Sequence, residues 1–100
     1  MDKLTTVVAK EIEGYAGEML NGYAFLTASD DHRVFSVVSV GKVKGERVTH
    51  LSLLVRVAEN QIIIEEDDSN KPLVDALVQA GVPRNQIILA YAGEPVPEVA

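Results

Sequence analysis

Residues 61–91 read QIIIEEDDSNKPLVDALVQAGVPRNQIILAY, and the placement of apolar and punctuating residues in this run decides the fold. Gln61–Ile64 is a short apolar, β-branched run of strand type. Glu65 to Lys71 is an acidic turn. Pro72 suits a first helical turn, where its missing N–H costs nothing, and Ser69 or Asn70 is placed to cap the start. Leu73, Val74, Leu77 and Val78 fall on one helical stripe. Gly81 stands where a left-handed cap residue belongs, and Pro83 prevents continuation. Gln86–Tyr91 is a second β run. Strand, helix and strand in this order predict a parallel, right-handed crossover.

Upstream, Asp2 to Leu20 carries Leu4, Val7, Val8, Ile12, Tyr15 and Met19 at three- and four-residue spacing, predicting a helix that stops at Asn21-Gly22. Strands follow over 23–29, 33–40, 48–57 and 61–66. The third has the clearest alternation: Leu51, Leu53, Val55 and Val57 on one face, His50, Ser52, Leu54 and Arg56 on the other. Gly41 to Arg47 is a hairpin loop with three basic residues. Ala58-Glu59-Asn60 is a tight connection that pairs its flanking strands antiparallel. The order α-β-β-β-β-α-β predicts one α+β domain over residues 1–100. It is a mainly antiparallel five-stranded sheet with both helices on one face, and residues 92–100 form an extended tail.

The chain has 100 residues, no cysteine and a net charge of −6. The missing cysteines exclude disulfides, thiolate catalysis and cysteine metal sites. Nine Lys and Arg against fifteen Asp and Glu argue against direct nucleic-acid binding, which needs a basic face. The charged N-terminus has no signal-peptide core, and no apolar run approaches the roughly 20 residues of a membrane span, so a cytoplasmic protein is expected. His32 and His50, the two histidines, stand in no nucleophile motif. Gly41-Lys42-Val43-Lys44-Gly45 lacks P-loop spacing and precedes a strand. Glu65, Glu66, Asp67 and Asp68 read as a solvated turn that supports the next helix start; a divalent cation at Asp67 and Asp68 is the alternative. No catalytic, cofactor or metal constellation emerges, and a non-enzyme is expected. The aromatics, Tyr23 and Phe25 included, read as core and helix–sheet contacts. The strands at both ends of the opening run are apolar on both faces. This makes Ile63 and Ile88, with Tyr91, Asp67 and Asp68, a candidate protein-interaction surface, self or hetero.

The run LVDALVQAGVPRNQIILAYAGEP resembles the C-terminal signature of the XisI family, the fdxN-element excision controlling factors of bacteria. The matching positions are Leu77-Val78, Ala80 to Arg84 with Gly81 and Pro83, Ile87 to Tyr91, and Pro95. Ile62, Ile64, Asp67, Ser69 and Leu73 match the stretch before it, and Ser39-Val40-Gly41 and Met1 to Leu4 match further upstream. The chain departs where the family carries Trp, at Lys42 and Ile63, and also at Asn70 and Ala92. The resemblance implies an α+β accessory protein without enzymatic activity. It would contact a XisH-like companion in controlling excision of a DNA element; a homodimer is the expectation that the doubly apolar strands add. The alternatives are a stand-alone small-ligand or metal-binding domain, or a direct DNA-binding excision factor.

Overall fold

The computed structural model describes residues 2–97. Helix α1 spans Lys3–Ile12. Its N-terminus is capped by Asp2, whose carboxylate accepts the Thr5 N–H at 2.8 Å. Val8 and Ile12 are buried, as the stripe requires, and Thr5 joins them. The helix stops well short of Leu20. The chain passes through a 3-10 turn at Glu13–Tyr15 and, with Gly17 at a φ of 124° that only glycine adopts comfortably, enters a short strand β1 at Gly17–Met19. The expected five strands therefore become six. Met19, expected on the helical stripe, is exposed on β1.

The remaining elements are β2 (Gly22–Ala28), β3 (Val34–Val43), β4 (Glu46–Ala58), β5 (Gln61–Asp67), α2 (Leu73–Gln79) and β6 (Ile87–Leu89). The sheet runs β1-β2-β3-β4-β5-β6, so spatial order equals chain order. Every neighbouring pair is antiparallel except β5 and β6, which the α2 crossover makes parallel, with Ile62 beside Ile87 and Ile64 beside Leu89. Both helices lie on one face. Val8, Ile12, Leu73 and Leu77 pack there against Phe35, Val37, Leu53, Val55, Val57, Ile62, Ile64 and Ile87.

Two local features shape this sheet. Gly22 faces Gly41 across β2 and β3, and their backbones approach so closely that a Cβ on Gly22 would lie 2.1 Å from the Val40 carbonyl oxygen. On β4, Leu53 pairs with Val37 but Leu51 pairs with Val38, leaving Ser52 as an extra bulged residue. The bulge reverses the alternation. Leu51 emerges on the face opposite Leu53, Val55 and Val57 instead of sharing theirs.

The hairpin joining β3 to β4 is longer than its two glycines suggest. Both strands continue to Val43 and Glu46, and only Lys44 and Gly45, with φ of 52° and 83°, form the turn. Positive φ at both positions matches the turn whose twist suits a two-residue hairpin.

The tail does not simply extend. A 3-10 turn at Ala90–Ala92 packs against β5, and Gly93 at φ 91° reverses the chain. The Glu94 carboxylate then accepts the Leu89 N–H at 2.8 Å and meets the Arg84 guanidinium at 3.0 Å. Arg84 also donates to the Ile87 carbonyl at 2.8 Å. The Leu89 N–H and then Arg84 hold the Glu94 carboxyl below the usual carboxylate range. The outer edge of β6 is thus closed by side chains. Residues 98–100 of the expected tail lie outside the described residues.

Candidate interaction surface

The acidic turn after β5 is a structural device at one of its positions. Asp67 accepts the Leu73 N–H at 2.7 Å on one oxygen. On the other it accepts the Ser69 N–H at 3.0 Å and the Ser69 hydroxyl at 2.5 Å. It caps α2 from six residues upstream, in place of the expected Ser69 or Asn70. A seven-residue helix cannot hold itself in water, so both of its ends need such partners. Replacing Asp67 with Ala is expected to lower unfolding free energy by about 2 kcal/mol, the upper end of the capping range, since two backbone donors lose their acceptor together. Urea denaturation measures it.

At the other end, the Val82 N–H reaches the Leu77 carbonyl and the Gly81 N–H reaches the Val78 carbonyl, both at 3.0 Å, with Gly81 at φ 104°. This is the paired cap that left-handed glycine makes at a helix C-terminus. Gly81 and Pro83 are therefore a helix stop.

Tyr15 ties α1 to the same turn, its hydroxyl donating to the Lys71 carbonyl at 2.7 Å. Burial first, and then the negative charges of Asp67, Glu11 and Asp75, push its pKa up to about 12. The raised folded value favours the neutral phenol. That contribution to stability is complete below pH 10 and disappears as pH rises from 10 towards 12. The melting temperature of the protein should fall across this window, and Tyr15→Phe should flatten the fall. An unchanged slope in the variant would exclude Tyr15 as its source.

Asp68 points elsewhere. It pairs with the His50 imidazole Nε2 at 2.7 Å, both side chains being at least half exposed. Among the described residues no group of three His, Cys, Asp or Glu side chains stands close enough to hold a metal ion.

Ile63 and Ile88 do project to the sheet face away from the helices, as alternation predicted, and neither belongs to the main core cluster. They are nevertheless only 2% and 7% exposed. Ile63 stands between Ile88 and Arg56, whose guanidinium is tied to Glu65 at 2.7 Å. The burial that their apolar character demands is met within the chain, so they are not a free contact surface. Tyr91, in the turn that packs on β5, keeps 39% of its surface exposed. Burial and then the charges of Asp67 and Asp75 raise its pKa above the ordinary tyrosine value.

The accessible apolar ground on this same open face lies on β2, β3 and β4. Tyr23 pairs with Val40, and Phe25 with Val38, which in turn faces Leu51. Tyr23, Phe25 and Leu51 are 43%, 49% and 38% exposed, and the two rings lie 4.8 Å apart. Tyr23 and Phe25 are thus not the helix–sheet contacts that their chemistry suggested. The alternation Tyr23-Phe25-Thr27 was the signal for a shared face. The bulge that adds Leu51 to it has no signature in the sequence.

The XisI family model, described as XisI protein, matches residues 1–99. The chain belongs to the XisI family. Solved structures that share its fold include two from one organism. A XisI-like protein from Anabaena variabilis ATCC 29413 superposes with a TM-score of 0.74 at 20% identity, covering 87% of this chain and 83% of that one. The fdxN element excision controlling factor XisI from the same organism gives a TM-score of 0.68 at 25% identity, covering 90% and 93%. No curated protein matches. The XisI pattern that links Asp67, Ser69 and Leu73 is the α2 cap, and the AGVP signature is the α2 stop. The motifs that carry the family's identity thus fix a helix between two strands. No helix among the described residues is long and apolar enough to cross a membrane.

Proposed function

We propose that this protein is a non-enzymatic accessory factor of the XisI type, working in the cytoplasm to control excision of a DNA element. It acts by protein contact with a XisH-like partner, and as a homodimer. Family membership supports the excision-control role, a relative of the same fold being an fdxN element excision controlling factor. The observation that carries contact as the mode of action is the open face of β2–β4. An uncovered sheet face bearing paired aromatic rings and aliphatic neighbours has the composition of a contact site, where aromatic anchors dominate binding energy. A net charge of −6 favours a protein partner over the DNA itself.

The test is capture of the XisH-like protein encoded beside this gene. Replacing Tyr23 and Phe25 together with Thr keeps β-forming residues on the strands. It is expected to weaken that complex about thirtyfold or more, a loss of roughly 2 kcal/mol, while leaving the fold intact. No complex with any neighbouring gene product would sink the partner reading. Salt-sensitive DNA binding by the isolated protein would favour the excision factor that reads DNA directly.

A further inference from the structure

The hairpin of β3 and β4 reaches beyond the strands beside it. β5 pairs with β4 only from Leu53 onward, and its last contact is the Asp68 N–H on the Ser52 carbonyl at 2.8 Å. Glu46 to Leu51 is paired with β3 alone, and no described residue hydrogen-bonds the other side of its backbone. The two-residue turn fixes which peptide groups are involved. Glu46, Val48 and His50 turn theirs to β3, and Arg47, Thr49 and Leu51 turn theirs outward. The other edges of the sheet are treated differently. β6 is closed by Arg84 and Glu94. β3 beyond its last β2 partner is held by Asn21, whose backbone carbonyl and side-chain amide bind the N–H and carbonyl of Lys42. β1 is three residues long. β1 leaves Phe25–Ala28 of β2 unpaired on its side, but among the described residues the tip half of β4, from Glu46 to Leu51, is the longest edge left open, and such an edge is a template for another strand.

Charge selects the occupant. Lys42, Lys44 and Arg47 outnumber Glu46 at the hairpin tip, while Glu65, Glu66, Asp67 and Asp68 end β5 at the point where the open edge begins. An antiparallel strand lying along this edge puts its own tip at that acidic end. A second copy of this chain supplies such a strand, with the basic tip that the acidic end attracts.

We infer that the protein dimerises by antiparallel pairing of the Glu46–Leu51 edges of two copies about a two-fold axis at Val48. Resting on the homodimer part of the proposed function alone, this pairing exchanges about four backbone hydrogen bonds, two in each of the Arg47–Thr49 pairs across the axis. It sets Glu46 opposite the second copy's His50. It also brings the Lys44–Gly45 turn up to the second copy's Asp68, which holds the Ser52 carbonyl at the end of the open edge. The two sheets become one, and the two-fold axis, perpendicular to the sheet, leaves both Tyr23–Phe25 faces on the same side as a single wide surface.

Light scattering coupled to size exclusion, on the full chain at low and high concentration, tests it. The wild type is expected to run as a dimer and Thr49→Pro, which removes an outward N–H, as a monomer. Lys44→Asp alone and Asp68→Lys alone should each weaken dimerisation by about tenfold or more, and the two together should restore it. The charge pair decides the matter if Thr49→Pro does not fold. A monomer at every concentration overturns the homodimer itself. A dimer indifferent to all of these changes overturns the edge pairing and leaves the homodimer standing on another surface.

Discussion

Gly22→Ala is expected to destabilise the fold by about 3 kcal/mol or more, a large fraction of the stability of a domain this size. The new methyl carbon would stand 2.1 Å from the Val40 oxygen and 2.6 Å from the Gly41 Cα. Both obstacles are backbone, so no side chain can rotate away. Relief requires β2 and β3 to separate just where the Asn21 bridge to Lys42 holds the base of the hairpin. The same change at Gly14 meets open space and should be close to neutral, which makes the pair an internal control. Thermal denaturation of the two variants measures it. Equal melting temperatures would mean that the strands separate at little cost.

The second large loss is expected at Leu77. Its side chain is fully buried on α2, facing the sheet within the main core cluster. Leu77→Ala leaves helix propensity intact or slightly better, so the penalty is almost purely the cavity and the lost apolar contact. A loss of about 3 kcal/mol follows, or a fall in melting temperature of roughly 12–24 °C for a chain of this length. Val78, one residue on, is exposed, and its replacement by Ala should shift the midpoint little. Near-equal effects at the two positions would contradict the orientation of α2.

The run from Gln61 to Tyr91 was legible because each of its signals is local. Apolar residues of period two mark the strands, a period near 3.6 marks α2, and Gly81-Val82-Pro83 ends it. Strand β1 was hidden in the sequence because a residual helical spacing, Tyr15 to Met19, continues past the point where Gly14 and Gly17 make a helix unfavourable. The surface was harder. Ile63 and Ile88 were rightly assigned to the second face of the sheet, but composition does not tell whether that face is covered. The cover comes from the chain itself at β5 and is missing at β2–β4. The bulge at Ser52 is a long-range matter of register between strands, invisible to alternation within one of them, and it alone decides that Leu51 joins Phe25 instead of Leu53. Asp67 was legible as important to the turn, but its task is capping, which depends on where α2 sits in space.

That spatial order equals chain order has a consequence for synthesis. As the chain leaves the ribosome, each new strand finds its partner already made: β2 beside β1, then β3, β4 and β5 in turn, with α2 needed only for the last crossover to β6. The sheet can grow one rung at a time without waiting for distant sequence. The helical layer follows the opposite schedule. α1 is the first element made, yet the Leu73 and Leu77 side chains that help enclose Val8 and Ile12 are among the last to arrive, so the nascent sheet carries its apolar inner face incompletely covered until the C-terminal third is complete.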